Sequence, residues 1–277
     1  MINIGDIALT SLETITAFDM SGGYLFAMDE LQNATIAQSQ ETTEITGKGG
    51  RKLNTLKKNK AVTISGSNGL VSGGLMEIQT GGSFSNKVTQ VLWMEELTVS
   101  ASHTATTQYT AYGTAGAEFG GTNDTGVFVK NSNGTLGTKL TQVASSVASG
   151  KFTYTPNTKT LTFHTDIEEG ATVVVYYQRN ITANVLENLS TSYSGKAKLF
   201  IDAMGEDKCN NVYRVQIIIP KADFSGEFSL EIGDNQTVHS FEAESLAGGC
   251  GAGANGNLWT YIVFGADTAD YTESAGE

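Results

Sequence analysis

The side chains that could carry chemistry in this chain of 277 residues are scattered rather than grouped as catalysis or metal binding requires. His103, His164 and His239 stand alone in threonine-rich or alternating segments, without a His-x-x-His or Cys-x-x-Cys partner. We interpret each histidine as a solvated or core-edge residue. The sequence therefore predicts no metal site.

Paired acids are the next candidates, because general acid and base catalysis often uses two carboxylates. The doublets Glu95-Glu96 and Glu168-Glu169 would point their adjacent side chains to opposite faces of a strand. The chain also has no Gly-x-Ser-x-Gly nucleophile motif. We predict that the protein is not an enzyme.

Two glycine-rich stretches resemble nucleotide-binding loops, but neither has the right context. "GKGGRK" (47–52) lacks the spacing that wraps phosphates, and "GCGAGA" (249–254) precedes a strand-like segment instead of the helix that a dinucleotide site needs. We predict no cofactor. Cys209 and Cys250 are too few for a disulfide scaffold and are expected to be reduced thiols.

The segments that would position these residues predict an all-β fold. The chain has 32 glycines and two prolines, and short alternating or β-branched runs recur along it with turn signals between them. This pattern indicates a β-sandwich or barrel. Fourteen runs are predicted strands: 24–28, 34–46, 60–65, 88–100, 104–113, 126–131, 151–156, 159–165, 172–178, 195–204, 212–220, 226–233, 237–246 and 258–265.

One segment, "SNGLVSGGLMEIQTG" (67–81), has helical rather than alternating spacing of its apolar residues. Ser67 or Asn68 could cap the amino end, and Gly81 lies beyond the carboxyl end. The sequence predicts one short helix here, packed on a sheet.

Residues 120–181 have the features of a β-rich insertion between two core parts, 1–119 and 182–277. The segment begins in "FGGTNDTG" and contains "KFTYTPNTKTLTFHT", which predicts a hairpin with its turn at Pro156-Asn157. Extension of the main sandwich by these strands remains an equal alternative.

Neither a secretory signal nor a membrane span is predicted. The first nineteen residues lack a basic region, an apolar region and a cleavage site, and no run of 18 apolar residues occurs. We expect the product to remain in the cytoplasm where it is made.

Charge is strongly segregated along the chain. The net charge is −12, yet residues 47–60 hold six of the seventeen basic residues and no acid. We predict a long loop here between two antiparallel strands. Three interpretations stay open: a solvated loop, an arm that binds nucleic acid, or a contact to the acidic body of another copy, which would be head-to-tail.

The segment "TTEITGKGGRKLNTLKKNKAVTISGSNGLVSGGLMEIQTG" (42–81) resembles the major tail tube proteins of long-tailed bacteriophages. The similarity continues through "FSGEFSLEIGDNQTVHSFEAESLAGG" (224–249) and "LWTYIVFG" (258–265), and the unit 120–181 is similar to an insertion found in some of these proteins.

This resemblance implies a β-sandwich with one flanking helix, matching Gly69–Gln79, assembled as hexameric rings that stack into a tube. The tube would carry DNA during ejection, belong to the virion, and contact other tail proteins such as the tape measure and the tail terminator. The long hairpin loop would reach the next ring. Its cationic residues are Lys48, Arg51, Lys52, Lys57, Lys58 and Lys60.

An acidic lumen would repel phosphate and let DNA slide. Glu41 and Glu44 enter the basic segment and, three apart in a strand, face opposite sides. Glu242 and Glu244 share one face, opposite the core, and are the better candidates for the lumen. An ordinary solvated face is an equal alternative for all four acids.

Other functions remain open at this level. A capsid decoration or baseplate protein is possible within the same class. A carbohydrate-binding or adhesin-like module would need exposed aromatic residues, whereas Trp93 and Trp259 lie in apolar strands and are predicted to pack in cores. A hydrolase has only scattered acids in its favour.

Overall fold

The computed structural model describes residues 7–121, 124–232, 238–247 and 256–265, which form seventeen β-strands and one α-helix. The predicted all-β class is confirmed. The strands are β1 (Ile7–Phe18), β2 (Tyr24–Met28), β3 (Leu31–Thr46), β4 (Lys52–Asn68), β5 (Ser85–Thr98), β6 (Thr104–Thr106), β7 (Gly126–Lys130), β8 (Leu136–Lys139), β9 (Thr141–Gln142), β10 (Lys151–Thr155), β11 (Thr160–Phe163), β12 (Thr172–Val185), β13 (Lys196–Asp207), β14 (Val212–Phe224), β15 (Leu230–Glu231), β16 (Val238–Ser245) and β17 (Thr260–Gly265). The helix α1 is Gly73–Thr80.

The chain divides into two compact units. The first combines the residues up to Phe84 with those from Leu186 onwards, and the second is Ser85–Val185. Residues 120–181, the predicted insertion, lie within the second unit.

The first unit contains a sheet in the order β2-β1-β13-β14-β16-β4-β3, with β15 added to β16 and β17 added to β14. Every pairing in it is antiparallel. Apolar side chains alternate with polar ones along the strands and bury one face, as the period of two requires. The core includes Ile15, Met28, Ile64, Leu75, Leu199, Ile219 and Phe241.

The helix α1 packs on this sheet through Leu75 and Ile78, which are buried. Its N-cap is Ser72, whose hydroxyl accepts a hydrogen bond from the backbone N–H of Leu75 at 3.3 Å. Gly81 ends the helix in the left-handed conformation with φ of 69°, and its N–H donates to Glu77 at 2.8 Å. The predicted end is therefore confirmed.

The predicted helix start at Gly69, with Ser67 or Asn68 as cap, was wrong. Both candidate caps still belong to β4, where they pair with β3 and β16. A residue held in a ladder on both sides cannot also turn the chain into a helix, so the helix begins only after Ser72.

The predicted long loop at 47–60 was also wrong. β3 and β4 pair through most of this segment, with Glu41 opposite Lys58 and Glu44 opposite Thr55. The chain reverses in the five residues 47–51, where the N–H of Gly47 donates to Arg51 at 2.8 Å. Gly49 and Gly50 have positive φ and make this turn possible. The ladder with β3 then continues along the lysine-rich start of β4.

The second unit contains two four-stranded sheets, β5-β12-β7-β8 and β6-β11-β10-β9. β5 and β12 pair along their whole length, from Ser85 opposite Val185 to Thr98 opposite Thr172. The predicted hairpin is confirmed as β10 and β11, whose turn carries a hydrogen bond from Lys159 to Pro156. Aromatic and aliphatic side chains fill the core, among them Phe119, Phe152, Tyr154, Leu161, Val175 and Tyr177.

Candidate assembly surfaces

A two-stranded ribbon extends from the sheet of the first unit. We call residues 41–60 the basic ribbon: the end of β3, the turn, and the start of β4. β16 begins to pair with β4 only at Thr63, so no further described strand is hydrogen-bonded to either side of the ribbon. Apart from Gly47 and Thr55, all of its residues are exposed. The ribbon therefore presents two free strand edges, which are sites where another chain can add.

Most of the positive charge on the ribbon is uncompensated. Lys52 contacts the carboxylate of Glu44, and Asn59 donates to Glu41 at 2.8 Å. An exposed pair of this kind contributes little stability. The other cations form no ion pair with any residue that the structure describes: Lys48, Arg51, Lys57, Lys58 and Lys60.

The ribbon also exposes apolar side chains, which the sequence analysis missed because charge dominates the segment. Leu53 is 64% exposed, Leu56 52% and Ile45 40%. Leu56 lies opposite Thr43, two residues from Ile45 along β3, so Leu56 and Ile45 share one face. One face of the ribbon thus carries exposed apolar side chains as well as unpaired charge, a surface that a partner could cover.

Glu41 and Glu44 lie on β3 within this ribbon. Pairing is regular from Glu41 to Ile45, so these two acids face opposite sides of the ribbon. Each contacts a side chain of the opposite strand of its own hairpin. Their side chains are thus held by the ribbon itself.

Glu242 and Glu244 lie on a different surface. Both are exposed on β16, while Phe241 and Ala243 between and beside them are buried, so the predicted division of faces is correct. In the ladder, Glu242 is opposite Ser65, and Glu244 is opposite Thr63 of β4 and Asp223 of β14.

β4 and β3 continue this surface with small neutral residues, which are Ser65 and Thr63 on β4. Thr35 and Ala37 of β3 lie opposite Ser65 and Thr63. We call these four residues with Glu242 and Glu244 the acidic face. Short side chains flank these carboxylates on β4, whereas Glu227 and Phe228 border Glu242. Asp223, opposite Glu244, pairs with Lys196 at 3.2 Å.

Glu95 and Glu96 of the second unit have structural roles. Glu95 accepts hydrogen bonds from the backbone N–H of Gln108, at 3.0 Å to one oxygen, and contacts the Tyr177 hydroxyl. Burial, followed by the neighbouring Glu95, raises the pKa of Tyr177, which keeps its hydroxyl a donor. Glu96, on the opposite face, pairs with Lys130 at 2.8 Å.

His239 is fully buried, so its interpretation as a solvated or core-edge residue was wrong. Its Nδ1 accepts a hydrogen bond from the backbone N–H of Ser72 at 3.2 Å, and its Nε2 lies 2.8 Å from Oε1 of Gln79. A backbone N–H can only donate, so Nδ1 is unprotonated and Nε2–H donates to Gln79. Burial lowers the pKa of His239. The neutral ring joins β16 to both ends of α1.

One cluster looks like a nucleophile site but has the wrong connectivity. His164 Nδ1 lies 2.9 Å from Asp166, and the hydroxyl of Ser149 contacts the same carboxylate. In a catalytic triad the serine must donate to the histidine, which then removes its proton. Here the serine donates to the aspartate, so the hydroxyl is not activated.

The two tryptophans have different environments. Trp93 is half-buried, packs edge-on against Tyr109, and has the Arg179 guanidinium 4.8 Å from its ring centre. Trp259 is 37% exposed and donates to Gln38 at 3.2 Å, so its predicted core position was wrong.

The "GCGAGA" stretch and Cys250 lie outside the described residues, and Cys209 is an exposed free thiol. No group of acids, histidines and cysteines within the described ranges could hold a metal ion. In the same ranges, no helix has the length and apolarity to cross a bilayer.

These features define an all-β protein with large sheets, a charged ribbon with free strand edges, and a buried histidine and paired acids whose contacts are structural. The sequence profile of the YomU/Tube protein family matches residues 8–260, and the chain belongs to that family. Membership confirms the resemblance to phage tail tube proteins. No curated protein matches the chain.

Proposed function

We propose that this chain is the structural subunit of a phage tail tube, which self-assembles into stacked hexameric rings and encloses a path for DNA. The observation that carries the proposal is the family match over residues 8–260, which spans most of both units. The subunit acts by contact and not by catalysis.

The basic ribbon forms the contact from one ring to the next, through Lys48, Arg51, Lys52, Lys57, Lys58 and Lys60. The residues outside the ribbon include eleven basic and twenty-seven acidic ones, a net charge of −16, and they attract the ribbon of another copy. A contact between two different surfaces is head-to-tail, and its repetition builds an open stack. Electrostatic attraction sets its register and speed.

The acidic face lines the lumen with Glu242 and Glu244. Carboxylates repel phosphate, whereas lysine or arginine would bind it by releasing counterions. DNA then passes without specific binding. Glu41 and Glu44 are the weaker lumen candidates, because both are engaged within the ribbon.

The remaining elements follow from the same proposal. Ser85–Val185 is a β-rich insertion in a tube core made from the other two parts of the chain. The assembled subunit belongs to the virion and contacts further tail proteins, such as the tape measure and the tail terminator.

Electron microscopy of the purified protein in negative stain, paired with light scattering over a concentration series, tests this function. We expect rings or hollow tubes whose mass grows with concentration. A protein that stays monomeric at every concentration, and also when isolated phage tails are added as nuclei, would overturn the proposal.

A further inference from the structure

An apolar groove opens at the mouth of the core in the first unit. It encloses about 440 Å³ and has buried Ile201, Ala203 and Ile217 at its floor. Leu9 and Leu12 of β1 form one wall, and Ala34 and Ile36 of β3 form the other. Leu9 is 54% exposed at the rim. Apolar surface left open in this way is a docking site when a complementary surface exists.

The complementary surface is on the same chain. The basic ribbon exposes Ile45, Leu53 and Leu56, the side chains that an apolar groove would accept. Its unpaired cations are attracted by the rest of the chain, which carries a net charge of −16. Apolar surface and net charge thus correspond between one copy and the next.

The ribbon cannot reach the groove of its own subunit. β3 runs without interruption from Ile36 in the groove wall to Ile45 in the ribbon. Nine residues of extended strand separate these positions by roughly 30 Å. The ribbon is held away from its own groove by the strand that forms both, so any occupant of this type comes from a second copy.

We propose that the basic ribbon of one copy docks in the apolar groove of the next copy, with its leucine and isoleucine side chains over Ile201, Ala203 and Ile217. This inference rests on the proposed tube function and assigns the receiving surface of the ring-to-ring contact.

Disulfide trapping between two preparations tests the docking. In a background of Cys209→Ser and Cys250→Ser, one preparation carries Ile45→Cys, Leu53→Cys or Leu56→Cys, and the other carries Leu9→Cys. A matched control replaces Leu9→Cys by Tyr24→Cys, which is 64% exposed and pairs near the opposite end of β1. A disulfide needs Cα atoms about 4.4–6.8 Å apart, so it reports close contact.

We expect cross-linked dimers between at least one ribbon thiol and Leu9→Cys in assembled tubes, and none with Tyr24→Cys. Tubes with no cross-link to Leu9→Cys, or with equal cross-linking to Leu9→Cys and Tyr24→Cys, would overturn the proposed docking in the groove. The proposed tube function would still stand. A parent protein that forms no rings or tubes in the same samples would instead overturn the proposed function.

A substitution without thiols gives an independent measurement. Leu9→Asp should raise the concentration needed for half-assembly about tenfold, because it removes the burial of one leucine from the contact. Tyr24→Asp should leave that concentration unchanged. Equal effects of the two substitutions would contradict the inference.

Discussion

The backbone N–H of Ser72 donates a hydrogen bond to Nδ1 of the buried His239, across 167 positions of the sequence. The same ring reaches Gln79 near the end of α1 through Nε2. One neutral imidazole therefore satisfies groups at both ends of the helix and connects it to β16. Protonation of Nδ1 would replace an acceptor by a donor that faces another donor.

Acid should therefore destabilise the first unit through His239. Its pKa in the folded state is lowered by burial, so the unfolded state binds the proton more readily. The stabilisation from the neutral ring is complete above the pKa of histidine in the unfolded state, about 6.5. It is lost as pH falls below that pKa. We expect the free energy of unfolding to drop between pH 7.5 and 5.5, by at most about 1.4 kcal/mol per pH unit.

Chemical denaturation at the two pH values measures this loss. His239→Gln should lower the free energy of unfolding at pH 7.5 by about 1–3 kcal/mol, because Ser72 and Gln79 lose their hydrogen bonds to the ring. It should also reduce the difference in this free energy between the two pH values. The control His164→Gln removes a half-exposed ring and should preserve that difference. An unchanged pH dependence in His239→Gln would refute the assignment.

Gly81→Ala should strongly destabilise the first unit. The residue has φ of 69°, and a Cβ there would lie 2.1 Å from the backbone oxygen of Tyr193. Backbone must move to admit it, at a cost above the roughly 1 kcal/mol of a left-handed alanine. Gly49→Ala is the matched control, because its φ is 79° and nothing lies within 4 Å of the added atom. Thermal unfolding that shifts equally for both variants would contradict this account.

Reversal of two ribbon charges should weaken assembly without unfolding the subunit. Lys57→Glu with Lys58→Glu places acids against an acidic body and should raise the concentration for half-assembly in low salt. The difference should shrink in 1 M salt, where the screening length is about 3 Å. The control Lys139→Glu with Lys151→Glu changes net charge equally at exposed positions of the second unit. Equal loss of tubes in both double variants would count against a specific role for the ribbon.

Charge on the acidic face should control retention of DNA. Glu242→Lys with Glu244→Lys should give tubes that bind short duplex DNA, with affinity that falls steeply as salt increases. The control Glu168→Lys with Glu169→Lys makes the same change at exposed positions of the second unit. Filter binding compares the two. A lumen role for the acidic face fails if both sets of tubes retain DNA to the same extent.

Strands with one buried face could be predicted from sequence. "TVHSFEAESL" alternates so regularly that both the strand and its exposed acids are evident, and "KFTYTPNTKTLTFHT" combines two alternating runs with a Pro-Asn turn. In both segments every second side chain faces the core, so apolar residues recur along the sequence with a period of two.

The basic ribbon and β1 were not predictable in this way. The ribbon is exposed on both faces, so no core imposes alternation, and its lysines are uncommon in strands. β1 pairs with a strand on each side, yet register shifts between Leu9 and Ser11 and between Leu12 and Thr14 interrupt its pattern. A bulge moves the following side chains to the other face, which conceals the period.

The groove could not be predicted from the sequence, because it forms only in the tertiary structure. Leu9 and Ile36 lie on strands that are far apart in the order of the sheet, and only its curvature brings them to one cavity. Nothing in either local sequence distinguishes these residues from ordinary core positions.

The pairing of Ser85 with Val185 brings the two ends of the second unit together. Both connections of this unit leave from opposite members of one antiparallel pair, whose Cα atoms are separated by about 5 Å. We therefore expect that a folded domain with its own termini at that spacing, or a two-residue turn, can replace Ser85–Val185 without redesign of the remaining sheet. New surface properties could then evolve, or be engineered, in one part of the chain alone.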